Sequence, residues 1–78
     1  MNTLERIELN PKVMLGKPII RGTRIPVELV LKKLSQNISV KDILSDYPNL
    51  TEDDVKAAIA FASEEISTEE IYVLAGNQ

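Results

Sequence analysis

Three cations, Lys17, Arg21 and Arg24, stand within the run GKPIIRGTRIPV from Gly16 to Val27 and bracket a Gly-Thr pair between short β-branched stretches. Forked guanidinium donors match phosphate oxygens or the edge of guanine, so this spacing points to recognition of a polyanion. Thr23 sits between the two arginines and adds a hydroxyl to the same turn. Further on, Lys32, Lys33 and Lys41 would contribute attraction that is independent of sequence and weakens with salt. The candidate nucleic-acid set is therefore Lys17, Arg21, Thr23, Arg24, Lys32, Lys33 and Lys41. The plainer alternative is a solvated hairpin tip, since exposed arginines are common.

These residues need elements to hold them. Ile19 and Ile20 before the turn, and Ile25 and Val27 after it, suit a pleated surface, and Gly22 permits the backbone angle that a tight turn requires. A short hairpin is expected. Upstream, LERIEL over residues 4–9 alternates apolar and charged side chains as a half-buried strand would, until Asn10-Pro11 breaks it. Such a strand would pair with the hairpin or with another subunit.

Pro26 fits the start of a helix, and Val27, Val30, Leu31 and Leu34 recur on one face, which predicts a first helix from about Pro26 to Ser35. Asn37 tolerates a left-handed conformation and closes that helix. Ser39 offers a cap to a second, supported by Asp42, with Ile43, Leu44 and Tyr47 as its apolar contacts and Pro48 as its stop. Thr51 caps a third, whose first turn holds Glu52, Asp53 and Asp54 and whose buried stripe is Val55, Ala58, Ile59 and Ala62, with Phe61 beside it. The fold class expected is mainly α: short N-terminal strands or a hairpin, then a three-helix, helix-turn-helix-like (homeodomain-like) unit over residues 1–63. On this pattern alone, a generic three-helix bundle without DNA binding is an equal alternative.

With 78 residues there is room for one small domain, and dimerisation or a partner is expected to support its modest core. The net charge of -3 conceals a strong asymmetry. Residues 1–41 hold eight basic and three acidic side chains, a net of +5, whereas residues 42–78 hold Lys56 against nine acids, a net of -8. That division suggests a basic end for nucleic acid and an acidic end for a basic protein surface. The chain has no cysteine and no histidine, so disulfides, thiolate metal sites and the usual acid-base residue are all missing, and neither catalysis nor a cofactor is expected. Asp53 and Asp54 are adjacent, point to different sides of a helix, and read as first-turn acids rather than metal ligands. Tyr47, among apolar neighbours, reads as packing rather than a catalytic phenol. The N-terminus has no secretory layout and no apolar run approaches the ~20 residues that span a bilayer, so the expected location is cytoplasmic.

From residue 64 the chain reads EEISTEEIYVLAGNQ, acids followed by an apolar cluster. A further helix, an edge strand and a disordered tail that orders on a partner are the alternatives, and the last is preferred because few residues remain to complete a helix. On that reading Ile66, Glu69, Glu70, Ile71, Tyr72, Val73 and Leu74 form a partner-binding segment over residues 64–78. Packing of the same segment on a dimer mate is the structural alternative.

The run GKPIIRGTRIPVELVL followed by NISVKDILSDYPNLTEDDVKAAIAFA closely resembles the small bacterial family named domain of unknown function 433, whose members look like VapB-type antitoxins. The likeness extends from about Asn10 to Ala62. It implies a helix-turn-helix-like fold with short N-terminal strands, encoded beside a PIN-like ribonuclease toxin that the small protein restrains. Two positions depart from the family pattern: Leu15 stands where a glycine commonly precedes the G-K-P, and Asn37 replaces a glycine between the first two helices. The expected function is therefore that of an antitoxin and autorepressor, not an enzyme, with the segment from residue 64 covering the toxin and a homodimer contacting promoter DNA. The alternative is a toxin-binding or homodimerising module that does not touch DNA. Because the third helix begins with three acids, phosphates would repel it, and the hairpin is the expected DNA contact.

Overall fold

A computed structural model describes the backbone of residues 3–76 and the side chains of residues 5–66 other than position 14. The chain starts not as the expected strand over residues 4–9 but as a 3₁₀ turn, Thr3–Arg6, followed by a two-residue strand β1, Ile7–Glu8. Among the described side chains of that run Ile7 is buried, whereas Leu9 is 63% exposed. The alternation thus fails at Leu9, and Asn10 then folds over itself, its Oδ1 accepting from the Lys12 amide at 2.9 Å. β1 pairs antiparallel with β2, Ile19–Ile20, in the register Ile7 to Ile20 and Glu8 to Ile19.

The expected hairpin is present in a minimal form. The Thr23 amide donates to Ile20 O at 3.0 Å, the Ile20 amide to Ile25 O at 2.9 Å and the Val27 amide to Pro18 O at 2.9 Å, with one bridge between Ile19 and Pro26. Gly22, third residue of the turn, has φ +81°, the sign a type II turn requires there.

Pro26 occupies the N-cap of α1, Val27–Ser35, and its missing N–H costs nothing at a helix start. At the other end Asn37 takes φ 66° while the Ile38 amide donates to Lys33 O and the Asn37 amide to Leu34 O, both at 3.1 Å. This is the Schellman closure that a left-handed residue makes possible. Ser39 caps α2, Val40–Asp46, by accepting from the Asp42 amide at 3.1 Å. α3 runs as one helix, Glu52–Gly76.

One hydrophobic core unites these pieces. Ile7 and Ile20 from the strands, Ile25, Val27 and Val30 around α1, Ile43 from α2, and Leu50, Val55, Ala57 and Ala58 around α3 are buried together, with Tyr47 and Phe61 packed against them. Ile59, expected within the buried stripe, is instead 48% exposed, because the core lies on the side of α3 that carries Ala57 and Ala58.

The expected boundary at residue 63 coincides with no break, and the segment from residue 64, expected as a disordered tail, continues α3 as helical backbone to Gly76. Residues 64–75 contain neither proline nor glycine, so propagation from an already formed helix adds one hydrogen bond per residue without a new nucleation cost.

Leu15 carries a backbone irregularity: φ 58° and ψ 32°, left-handed, with the side chain 95% exposed. An L-residue is disfavoured there by about 1–2 kcal/mol, partly offset on substitution by the greater unfolded-state freedom of glycine. Leu15→Gly is accordingly expected to raise stability by about 0.5–1 kcal/mol, read as a higher urea midpoint at unchanged slope.

Candidate functional site

The three cations of the GKPIIRGTRIPV run do not form one open cluster. Lys17 reaches α1, where its Nζ lies 2.6 Å from Glu28 Oε1, both side chains being more than half exposed. Arg21 turns back over the N-terminal segment. Its Nε donates to Glu5 O at 2.6 Å and its Nη2 to Ile7 O at 3.3 Å, while its amide donates to Arg6 O at 2.7 Å. Thr23 is spent inside the turn: its Oγ1 donates to Ile20 O at 2.8 Å and accepts from the Ile25 amide at 3.0 Å. The expectation that these side chains gather for a ligand is corrected to this extent. Arg21 and Thr23 are braces, because bare carbonyls of a two-strand ladder lie within reach and a guanidinium satisfies two of them at once.

Arg24 behaves differently. It is exposed, follows directly on the braced turn, and makes no hydrogen bond or ion pair among the described residues. Lys32 and Lys41 are likewise exposed and without such partners, whereas Lys33 holds its ammonium 5.7 Å from the centre of the Tyr47 ring. Glu28, Lys32 and Ser35 recur at helical spacing on the outer face of α1, so Lys32 shares that face with the Lys17–Glu28 pair. Arg24, Lys32 and Lys41 are thus exposed cations on the turn, α1 and α2 respectively, without a hydrogen-bond or ion-pair partner for their side chains among the described residues.

A second cluster was not anticipated. At the start of α3, Thr51 Oγ1 accepts from the Asp54 amide at 3.2 Å and Asp54 Oδ2 accepts from the Thr51 amide at 3.0 Å, a reciprocal capping box. The other carboxylate oxygen, Asp54 Oδ1, accepts from Arg6 Nη1 at 3.1 Å, and Asp53 lies 3.7 Å from the same guanidinium. Asp54 is the buried charged residue of the described chain, at 7% exposure. Thr51 and Asp54 three residues apart are a readable capping signal, but nothing in the local sequence marks Arg6, 48 positions away, as the partner.

A cleft of about 500 Å³ opens beside this junction, lined by Glu5, Arg6, Arg21 and Asp54. The Asp54 carboxylate and the Arg6 and Arg21 guanidiniums there already engage protein groups, so the junction ties the N-terminal segment to α3. Among the described residues no three acidic side chains converge as a metal site, and no helix is long and apolar enough to cross a membrane.

Of the expected partner-binding residues, Ile66 is 50% exposed on α3. The side chains of Glu69, Glu70, Ile71, Tyr72, Val73 and Leu74 lie outside the described residues, although their backbone belongs to the helix.

Comparison with known proteins agrees with this architecture. A crystal structure of a DUF433 member protein from Anabaena variabilis superposes with a TM-score of 0.75 at 30% identity, covering 88% of this chain and 68% of that one. An uncharacterized protein, y4eO, of Sinorhizobium fredii is 31% identical over 58 residues, 74% of this chain and 26% of its own length. The chain therefore spans about a quarter of that relative. An uncharacterized protein of Archaeoglobus fulgidus is 60% identical over 25 residues, 32% of this chain and 69% of its own. The family model described as protein of unknown function, DUF433, matches residues 7–62, from β1 through the core-packed part of α3, and the chain belongs to that family.

Proposed function

We propose that this protein acts by binding, as the antitoxin of a toxin-antitoxin pair: it restrains a PIN-like ribonuclease and occupies its own promoter DNA as an autorepressor. The observation supporting this reading is that Arg24, Lys32 and Lys41 are each exposed and unneutralised among the described residues, on a chain whose other half is strongly acidic. Arg24 meets a phosphate or a base edge, Lys32, Lys33 and Lys41 meet phosphates, and Lys17, Arg21 and Thr23 hold the turn that presents Arg24. Of the segment from residue 64, Ile71, Tyr72, Val73 and Leu74 supply the nuclease-facing part of α3, where apolar residues add buried area.

Arg24→Glu tests the DNA half, because Arg24 has no partner to lose among the described residues. In a mobility-shift titration on the promoter fragment, affinity should fall at least about tenfold and the salt slope should decrease by about one to two phosphate contacts. Unchanged affinity rejects Arg24 as a DNA contact.

The second reading is a nuclease-binding module that leaves DNA alone. It draws on the same free guanidinium, which suits the acidic, metal-binding centre of a PIN-like nuclease. Wild-type protein that fails to shift promoter DNA, together with an Arg24→Glu variant that releases nuclease activity, would favour it.

A further inference from the structure

Past the core, α3 exposes two isoleucines seven residues apart, Ile59 at 48% and Ile66 at 50%. Seven residues are two helical turns, so both lie on one side of the helix about 10 Å apart. Between them on the same side stand the small residues Ala62 and Ser63, the latter exposed. This pattern is symmetric about its own centre: reversing the direction of the helix places Ile59 over Ile66, Ala62 over Ser63, and Lys56 over positions 69 and 70. Lys56 is the only cation of residues 42–78, and positions 69 and 70 are both glutamate. Within its own helix Lys56 has only a loose contact, 3.7 Å from Glu52, with both side chains about two-thirds exposed.

From this self-complementarity we infer that two copies of the chain associate through antiparallel α3 helices, with a two-fold axis between Ala62 and Ser63. Small side chains at the centre let the two backbones approach, the four isoleucines flank them as an apolar seam, and Lys56 of each copy lies at the level of positions 69 and 70, both glutamate in sequence, of the other. A parallel pairing would instead bring positions 69 and 70 to the level of their own counterparts, like charge beside like charge. Two copies would thereby present two sets of these exposed cations at once, as a repressor of a two-fold DNA site requires. The association does not depend on the proposed antitoxin role, and the seam assigns Ile66 to the dimer rather than to a nuclease.

Sedimentation equilibrium of the full chain should return twice the 8.7 kDa chain mass, and Ile59→Glu with Ile66→Glu should return the monomer mass at unchanged helical circular dichroism. A second measurement leaves the seam intact. Because the chain has no cysteine, Ser63→Cys introduces a single thiol, and a short bis-maleimide should join two copies into one covalent species that disappears when Ile59→Glu and Ile66→Glu are added. A monomeric wild-type chain, dimers that persist in the double variant, or a Ser63→Cys protein that dimerises without cross-linking overturns the inference.

Discussion

Asp54→Ala is expected to destabilise the fold by about 3 kcal/mol, combining the loss of a helix cap with a part-buried guanidinium left without its main partner. Asp54 serves both ends of this account: one carboxylate oxygen closes the capping box with the Thr51 amide and the other accepts from Arg6 Nη1. Its side chain is 10% exposed and that of Arg6 27%, so solvent screens the pair far less than an ordinary surface ion pair. A chain of this size has a total stability of about 4–12 kcal/mol, and the midpoint of thermal unfolding should fall by about 12–20 °C. Asp53→Ala is the matched control. Its carboxylate lies farther from Arg6, at 3.7 Å, and is 67% exposed, so the change should stay within about 0.5 kcal/mol. Equal losses at the two positions would show that the capping box and the closer contact do not matter.

Ile43→Ala should cost about 3–4 kcal/mol, comparable to or larger than Asp54→Ala, through lost transfer energy and the cavity that remains. Ile43 is fully buried on α2, within the cluster that also takes Val30 from α1 and Val55 from α3. Its removal therefore loosens all three helices at once, and the urea midpoint should move strongly at a nearly constant slope. Ile43→Val, which removes a single methylene, should cost about 0.5–1.5 kcal/mol. Leu9→Ala, at a side chain 63% exposed, should change little. If Ile43→Ala is no worse than Leu9→Ala, the helices do not share one core.

Both variants bear on function indirectly. Arg24 stands on a turn braced by Arg21 against Glu5 O and Ile7 O, and that N-terminal segment is in turn held to α3 by Arg6 and Asp54. On the proposed DNA-binding reading, weakening the junction should lower affinity only where it also lowers the folded fraction, whereas Arg24→Glu should act on affinity alone.

The features legible in the sequence are those encoded by near neighbours. Ser39 and Asp42 announce the start of α2, Asn37 the end of α1, Gly22 the turn, and Pro48 the end of α2, because each rests on backbone angles or on hydrogen bonds spanning three to five residues. Leu15 reads in sequence only as a departure from a family glycine; that it takes a left-handed backbone, φ 58°, is the structure's finding. Failures of local reading have equally physical causes. The alternation of LERIEL suggested a longer strand, but Leu9 is left exposed and the partner strand has two residues, so the ladder stops and the preceding residues wind into a 3₁₀ turn. The segment after Ser63 was judged too short for a helix of its own, which ignored that it need only extend one already nucleated at Thr51.

The amino-acid order alone determined the mainly helical fold, its caps and turns, and the unequal division of charge between the two halves, all properties of composition or of adjacent residues. Tertiary structure alone decided which of those charges find partners. Arg6 and Asp54 meet across 48 positions, Arg21 and Glu5 O across 16, and Lys17 and Glu28 across 11, while Arg24 meets nothing among the described residues. Ion pairs and carbonyl contacts between distant positions exist only once packing has brought their backbones together, so sequence spacing cannot distinguish a brace from a binding group.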